Sequence, residues 1–131
     1  MYTTDSCTGA LTPTTPATVA TGGNEFGAEG LAVDPSSKFA YVTNPKDNTV
    51  SMFSINPGTG NLTPNSPATV ATGTQPWPIV VEPSGKFVYG ENENDTSVSI
   101  YTVGSSGVLT SAGSAATGGS SMSMAVIGAK P

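Results

Sequence analysis

The stretch Asp34 to Pro64, DPSSKFAYVTNPKDNTVSMFSINPGTGNLTP, returns forty-eight residues further on as EPSGKFVYGENENDTSVSIYTVGSSGVLTS, Glu82 to Ser111. A fixed period of this length marks a repeat architecture, in which each unit has apolar surface that only its neighbours can cover. Within the first copy, Gly30 to Val33 is a short apolar run that stops at Asp34-Pro35-Ser36-Ser37, a β-turn signature with proline second. Phe39 to Thr43 resumes as a strand, and Asn44 to Asn48 breaks it. Thr49 to Ile55 then carries apolar residues on both faces, Val50 and Met52 on one and Phe53 and Ile55 on the other, which predicts a strand covered from both sides. Pro57-Gly58-Thr59-Gly60 turns the chain again. Leu62 to Thr72 follows as a last strand broken by Pro64 and Pro67, and proline cannot donate to a ladder, so this strand belongs at an edge.

Four short antiparallel strands ending in a proline-broken edge describe one blade of a β-propeller. The second copy repeats them, with Ile79 to Val81, Phe87 to Tyr89, Val98 to Tyr101 and Leu109 at the matching positions. Gly85 stands where the first copy has Ser37 and suits the positive backbone angle of a hairpin turn. Residues 1–22, MYTTDSCTGALTPTTPATVATG, match 52–73 without a gap, so Met1 falls inside a third strand; Met122 to Ile127 matches an innermost strand. The expected organisation is all-β and a partial propeller of about two and three-quarter blades: 1–22 the end of a blade, 30–73 and 78–118 complete blades, 122–131 the first strand of the next.

Such a chain cannot close a ring alone. Two open blade faces of roughly 600–1,500 Å² each, at ~25 cal/mol per Å², would each forgo on the order of ten kcal/mol or more. A domain's whole stability is about 5–15 kcal/mol, so self-association through the open faces is expected, and the chain reads as part of a longer protein.

Composition narrows the chemistry. Four lysines (Lys38, Lys46, Lys86, Lys130) face nine acidic residues across 131 residues, for a net charge of −5, which disfavours a phosphate backbone as partner. Histidine and arginine are both absent, removing the commonest neutral-pH base and the bidentate anion clamp. Cys7 is the sole cysteine, so neither an internal disulfide nor a Cys/His zinc site can form, and it reads as a buried or incidental thiol. No apolar run reaches membrane-spanning length. Few lysines with many threonines and serines lean towards an exported parent protein.

Tyr41-Val42-Thr43-Asn44, set in PSSKFAYVTNPKDNTVSMFSI, resembles the YVTN-type repeat of bacterial β-propellers, and these blades are similar to those of the seven-bladed lactonase family, whose best-known members are 6-phosphogluconolactonases. The resemblance covers essentially the whole chain. It implies a Gly-Pro-Arg-His element before the innermost strand and an Asn-Glu pair after the second, both facing a central pocket. Here the first element reads Gln75-Pro76-Trp77-Pro78, and the pair is Asn92-Glu93. By resemblance, Glu93 is the candidate catalytic carboxylate, and Asn92, Trp77 and Gln75 are the candidate substrate-binding residues, the partner being a sugar lactone or carbohydrate. No metal and no cofactor is implied.

The other candidates are weaker. Trp77 stands in the loop feeding an innermost strand, where an indole either stacks on a sugar ring or fills the gap between blades, and packing is the more ordinary role. Glu91 to Asp95 alternates carboxylates as a calcium loop does, but Thr96 replaces the sixth-position glycine and Thr102 the distal glutamate, so a solvated rim loop is expected. Asn61-Leu62-Thr63 and Asn94-Asp95-Thr96 fit the glycosylation triplet, which arises by chance in a Thr-rich chain. A non-catalytic propeller that binds through its rim is the alternative to a lactonase-like hydrolase.

Overall fold

The computed structural model describes residues 1–21, 27–119 and 123–128. Ten strands form three antiparallel sheets: β1 (Tyr2–Thr4) with β2 (Leu11–Pro13), then β3 (Leu31–Val33), β4 (Phe39–Asn44), β5 (Thr49–Ile55) and β6 (Leu62–Ala71), then β7 (Pro76–Val81), β8 (Phe87–Asn92), β9 (Ser97–Val103) and β10 (Leu109–Ala116). Each four-stranded sheet is a meander in chain order, with no helix among the described residues. The proline-containing β6 pairs only with β5 and is an edge, as its sequence requires.

Both tight turns after the first strand of a sheet place their closing residue at positive φ, Ser37 at 57° and Gly85 at 73°. In each sheet the turns joining strands one to two and three to four lie at one end. The entry to strand one and the two-to-three connection lie at the other. The two ends of the molecule therefore carry different sets of loops.

The core lies between the two meanders. Tyr41, Val50 and Met52 of the first sheet pack on Ile79, Val88, Tyr101 and Leu109 of the second in one buried cluster. Polar contacts cross the same junction: the Tyr41 hydroxyl donates to the Gly107 carbonyl (3.1 Å), Tyr101 to that of Ala71 (2.8 Å), and Thr43 to that of Trp77 (2.8 Å). Gly30 is required there, since a Cβ on it would lie 2.2 Å from the Trp77 carbonyl oxygen. The opposite face of the first sheet, with Ala40, Val42 and Phe53, packs on Val19 of the N-terminal segment. Both faces of β5 are thus covered, as the doubly apolar pattern predicts.

Three expectations change. Cys7 is exposed in the β1–β2 turn, which narrows its reading from a buried or incidental thiol to an incidental one, because that hairpin is covered on neither side. Trp77 is inside β7 rather than in the loop before it: Pro76 pairs with Asn92 and Ile79 with Gly90, so Trp77 and Pro78 form a bulge opposite Glu91, a place where proline's missing N–H costs no ladder bond. Of the expected innermost strand 122–127, Met122 lies outside the described residues, and Ser123 to Gly128 form no strand, having no strand among the described residues to pair with.

Candidate functional site

At the end where strand-one entries and two-to-three connections meet, the junction of the two meanders opens into a cavity of about 400 Å³ lined by Glu29, Pro45, Lys46, Asn48, Thr74, Gln75 and Trp77. The first sheet supplies Glu29 from the approach to β3 and Pro45, Lys46 and Asn48 from the β4–β5 turn. The second supplies Thr74 and Gln75 from the approach to β7 and Trp77 from β7 itself.

Hydrogen bonds fix this rim. Asn48, at φ 54°, accepts the Gln75 amide on its Oδ1 (2.8 Å) and the Thr72 amide on its carbonyl (2.9 Å). Gln75 is itself at φ 57°, a left-handed conformation that costs an L-residue other than glycine roughly 1–2 kcal/mol. Its counterpart in the first copy is a glycine, Gly27, at φ 71°. The Gln75 side chain offsets that cost by accepting from Asn94 Nδ2 at 2.6 Å. Trp77 is half-buried with its carbonyl held by Thr43. Its indole Nε1 is buried without a partner among the described residues.

The four residues expected from the sequence separate into two groups. Gln75 and Trp77 line the cavity; Asn92 and Glu93 do not. Asn92 is 1% exposed and donates to the hydroxyls of Ser97 (3.0 Å) and Ser99 (2.9 Å) across the β8–β9 turn. Asn44 makes the same pair of bonds to Thr49 (3.1 Å) and Ser51 (2.8 Å), so this asparagine is a fastening of each repeat. Both Oδ1 atoms are buried without a partner among the described residues. Glu93 is half-buried behind Gln75, donating its amide to the Gln75 carbonyl at 3.0 Å.

By the period, Glu93 occupies in the second repeat the place of Pro45 in the first. Asp95 accepts the Thr74 amide, completing a turn that braces the cavity wall from behind. The alternating carboxylates of the calcium-like stretch are split, Glu91 in β8 and Asp95 in this turn.

Glu29, Lys46 and Asn48 are pocket residues that the motif reading missed. A signal existed: counting one period back from Trp77 lands on Glu29. Together these groups offer a carboxylate able to take a proton from water, an ammonium able to face developing negative charge, and an indole next to them.

Four-stranded meanders stacked face to face, with paired loops at each end, define a partial β-propeller. The chain belongs to the lactonase family of seven-bladed β-propellers, whose sequence profile, described as "Lactonase, 7-bladed beta-propeller", matches residues 1–126. Among solved structures it is similar to a functionally unknown protein from Desulfotomaculum acetoxidans, with a TM-score of 0.71 and 26% identity over 86% of this chain and 33% of that one. It is also similar to the periplasmic gluconolactonase PpgL of Pseudomonas aeruginosa, with a TM-score of 0.64 and 26% identity over 72% of this chain and 26% of that one. The chain thus spans about a third or less of the length of these relatives. A search of curated protein sequences gave no match.

Proposed function

We propose that this chain supplies part of a lactonase-like propeller that takes a sugar lactone at its blade junctions. The observation that carries this is the rim cavity, which gathers Glu29, Lys46, Gln75 and Trp77 where two blades meet. Membership of the lactonase family and the likeness to a gluconolactonase support the substrate class. In the parent protein the reaction is water attack on the lactone carbonyl, the ring oxygen leaving as a hydroxyl on reprotonation. Glu93 is our proposed base for the junction beyond the second sheet, with Asn92 fixing the turn that carries it and Trp77 and Gln75 walling the cavity.

One observation favours a second reading. Trp77 and Pro78 fill the bulge in the positions where the family resemblance implies arginine and histidine, and the chain has neither residue. On that reading the propeller binds a carbohydrate without cleaving it. The two separate by initial rates of glucono-1,5-lactone hydrolysis, corrected for the spontaneous reaction. This chain alone should show no added rate. A longer form carrying in-frame blades should hydrolyse the lactone and lose about a hundredfold or more on Glu93→Gln, the usual scale for removing a general base; a rate untouched by that substitution rejects the catalytic role.

A further inference from the structure

The opposite end of the same junction holds a second groove, of about 450 Å³, and there the repeat brings two of the chain's four lysines together. Lys38 and Lys86 occupy equivalent positions directly after the strand-one turns of the two sheets, and both line the groove with Ser36, Ser84 and Ser105. The chain as a whole carries a net charge of −5, so two lysines on one groove stand against its overall charge. No hydrogen bond or ion pair engages either ammonium group among the described residues.

The walls are built before any ligand arrives. The Lys38 carbonyl accepts the Ile55 amide (2.8 Å) and the Lys86 carbonyl the Val103 amide (2.9 Å), so both lysine backbones are fixed to a neighbouring strand. Across the junction, a Cβ on Gly107 would lie 2.2 Å from Phe39, and one on Gly85 would lie 3.6 Å from Pro35. The two sets of turns are in contact.

A carboxylate, Asp34, also lines the groove. Its oxygens are already committed, accepting the amides of Ser36 (2.9 Å), Lys38 (2.7 Å) and Phe39 (2.7 Å) and the Ser36 hydroxyl. Burial alone would raise its pKa, but these bonds outweigh it and hold the carboxyl below its ordinary value. Asp34 shapes the turn and is not free to pair with either lysine.

We propose that this groove is a binding site for a doubly charged oxyanion, bridged by the Lys38 and Lys86 ammonium groups with Ser105 beside them, the Ser36 and Ser84 hydroxyls being already donated to the Asp34 and Glu82 carboxylates. Two like charges facing one cavity repel each other until a dianion neutralises them. The site is independent of the lactone cavity, being at the other end of the strands.

Titration of the full chain with inorganic phosphate at pH 7.5, followed by amide chemical shifts with sodium chloride at matched ionic strength as reference, tests it. The expected result is a saturable response centred on Ser84 to Lys86 and Ser105, weakened about fivefold by Lys38→Gln or Lys86→Gln, in the range of single exposed charge pairs. The double substitution should abolish it, while Lys38→Arg with Lys86→Arg retains it. A response that is linear and matched by chloride, or a saturable one that survives the double substitution, overturns the proposal.

Discussion

The junction between the two meanders and the far face of the second meander present the same residue pattern to different surroundings. Tyr41, Val50 and Met52 are each 0% exposed, while their counterparts Tyr89, Val98 and Ile100 are only half-buried. Ile79 is 6% exposed; Ile127, one period later, is 91% exposed. Burial here is conferred by the neighbouring blade and not by the residue, which is the physical content of a repeat protein. One position also changes its chemistry between the two faces. Thr43 accepts the Gly30 amide (2.8 Å) and donates to the Trp77 carbonyl, but in the second repeat these places hold Glu91 and Pro78, and Glu91 is buried with its Oε1 unpartnered among the described residues.

The largest way to break the comparison is to truncate its tyrosines. Tyr41→Ala should cost about 3–5 kcal/mol, the range for large buried aromatics, whereas Tyr89→Ala should cost about 1 kcal/mol, nearer an average substitution. Denaturant unfolding of the two variants measures the difference, and equal losses would mean that the far face is packed as tightly as the junction. Gly107→Ala should follow, at about 2–4 kcal/mol, because a side chain there meets Phe39 and sits at φ 75°; substitution by alanine at Gly118, at φ 78° with open space around it, is the control, carrying the backbone strain alone.

The fastening asparagines sharpen the comparison further. Asn44→Ala and Asn92→Ala should each cost about 1–3 kcal/mol, since each removes two hydrogen bonds, one of them to a buried hydroxyl, Ser51 or Ser99. An Asn92→Ala variant that keeps full stability but loses lactone binding would instead make Asn92 a ligand residue. A smaller effect comes through pH at the two buried tyrosines of the junction, Tyr41 and Tyr101. Burial, and secondarily the Asp34 charge, raises the Tyr41 pKa above its ordinary value near 10, and burial also raises that of Tyr101. The folded state then holds protons that the unfolded chain releases, so this stabilisation is intact below about pH 10 and is lost progressively as pH rises towards the folded values. Unfolding midpoints between pH 9 and 11 should fall, and fall less steeply in Tyr41→Phe.

Much of this fold was legible in the residues. The Asp34 and Glu82 turns, the two-faced apolar pattern of Thr49 to Ile55 and the proline-broken Leu62 strand each has a local cause, and each forms as its cause predicts. Trp77 was misplaced because a bulge is a property of pairing: nothing in Gln75-Pro76-Trp77-Pro78 says that two residues will oppose one across the ladder. The site was half legible for a similar reason. Gln75 and Trp77 stand out as residue types, whereas Glu29 and Lys46 become pocket residues only when two repeats are stacked, and Asn92, read as a binding residue, carries the same bonds as Asn44.

Trp77 is the only tryptophan in the chain, so its fluorescence reports on the candidate site without a label. Titration with glucono-1,5-lactone should change Trp77 emission saturably, and Glu29→Gln and Gln75→Ala should each weaken the response. An emission unchanged up to high lactone concentration, or a change indifferent to both substitutions, would contradict a lactone site at the blade junction.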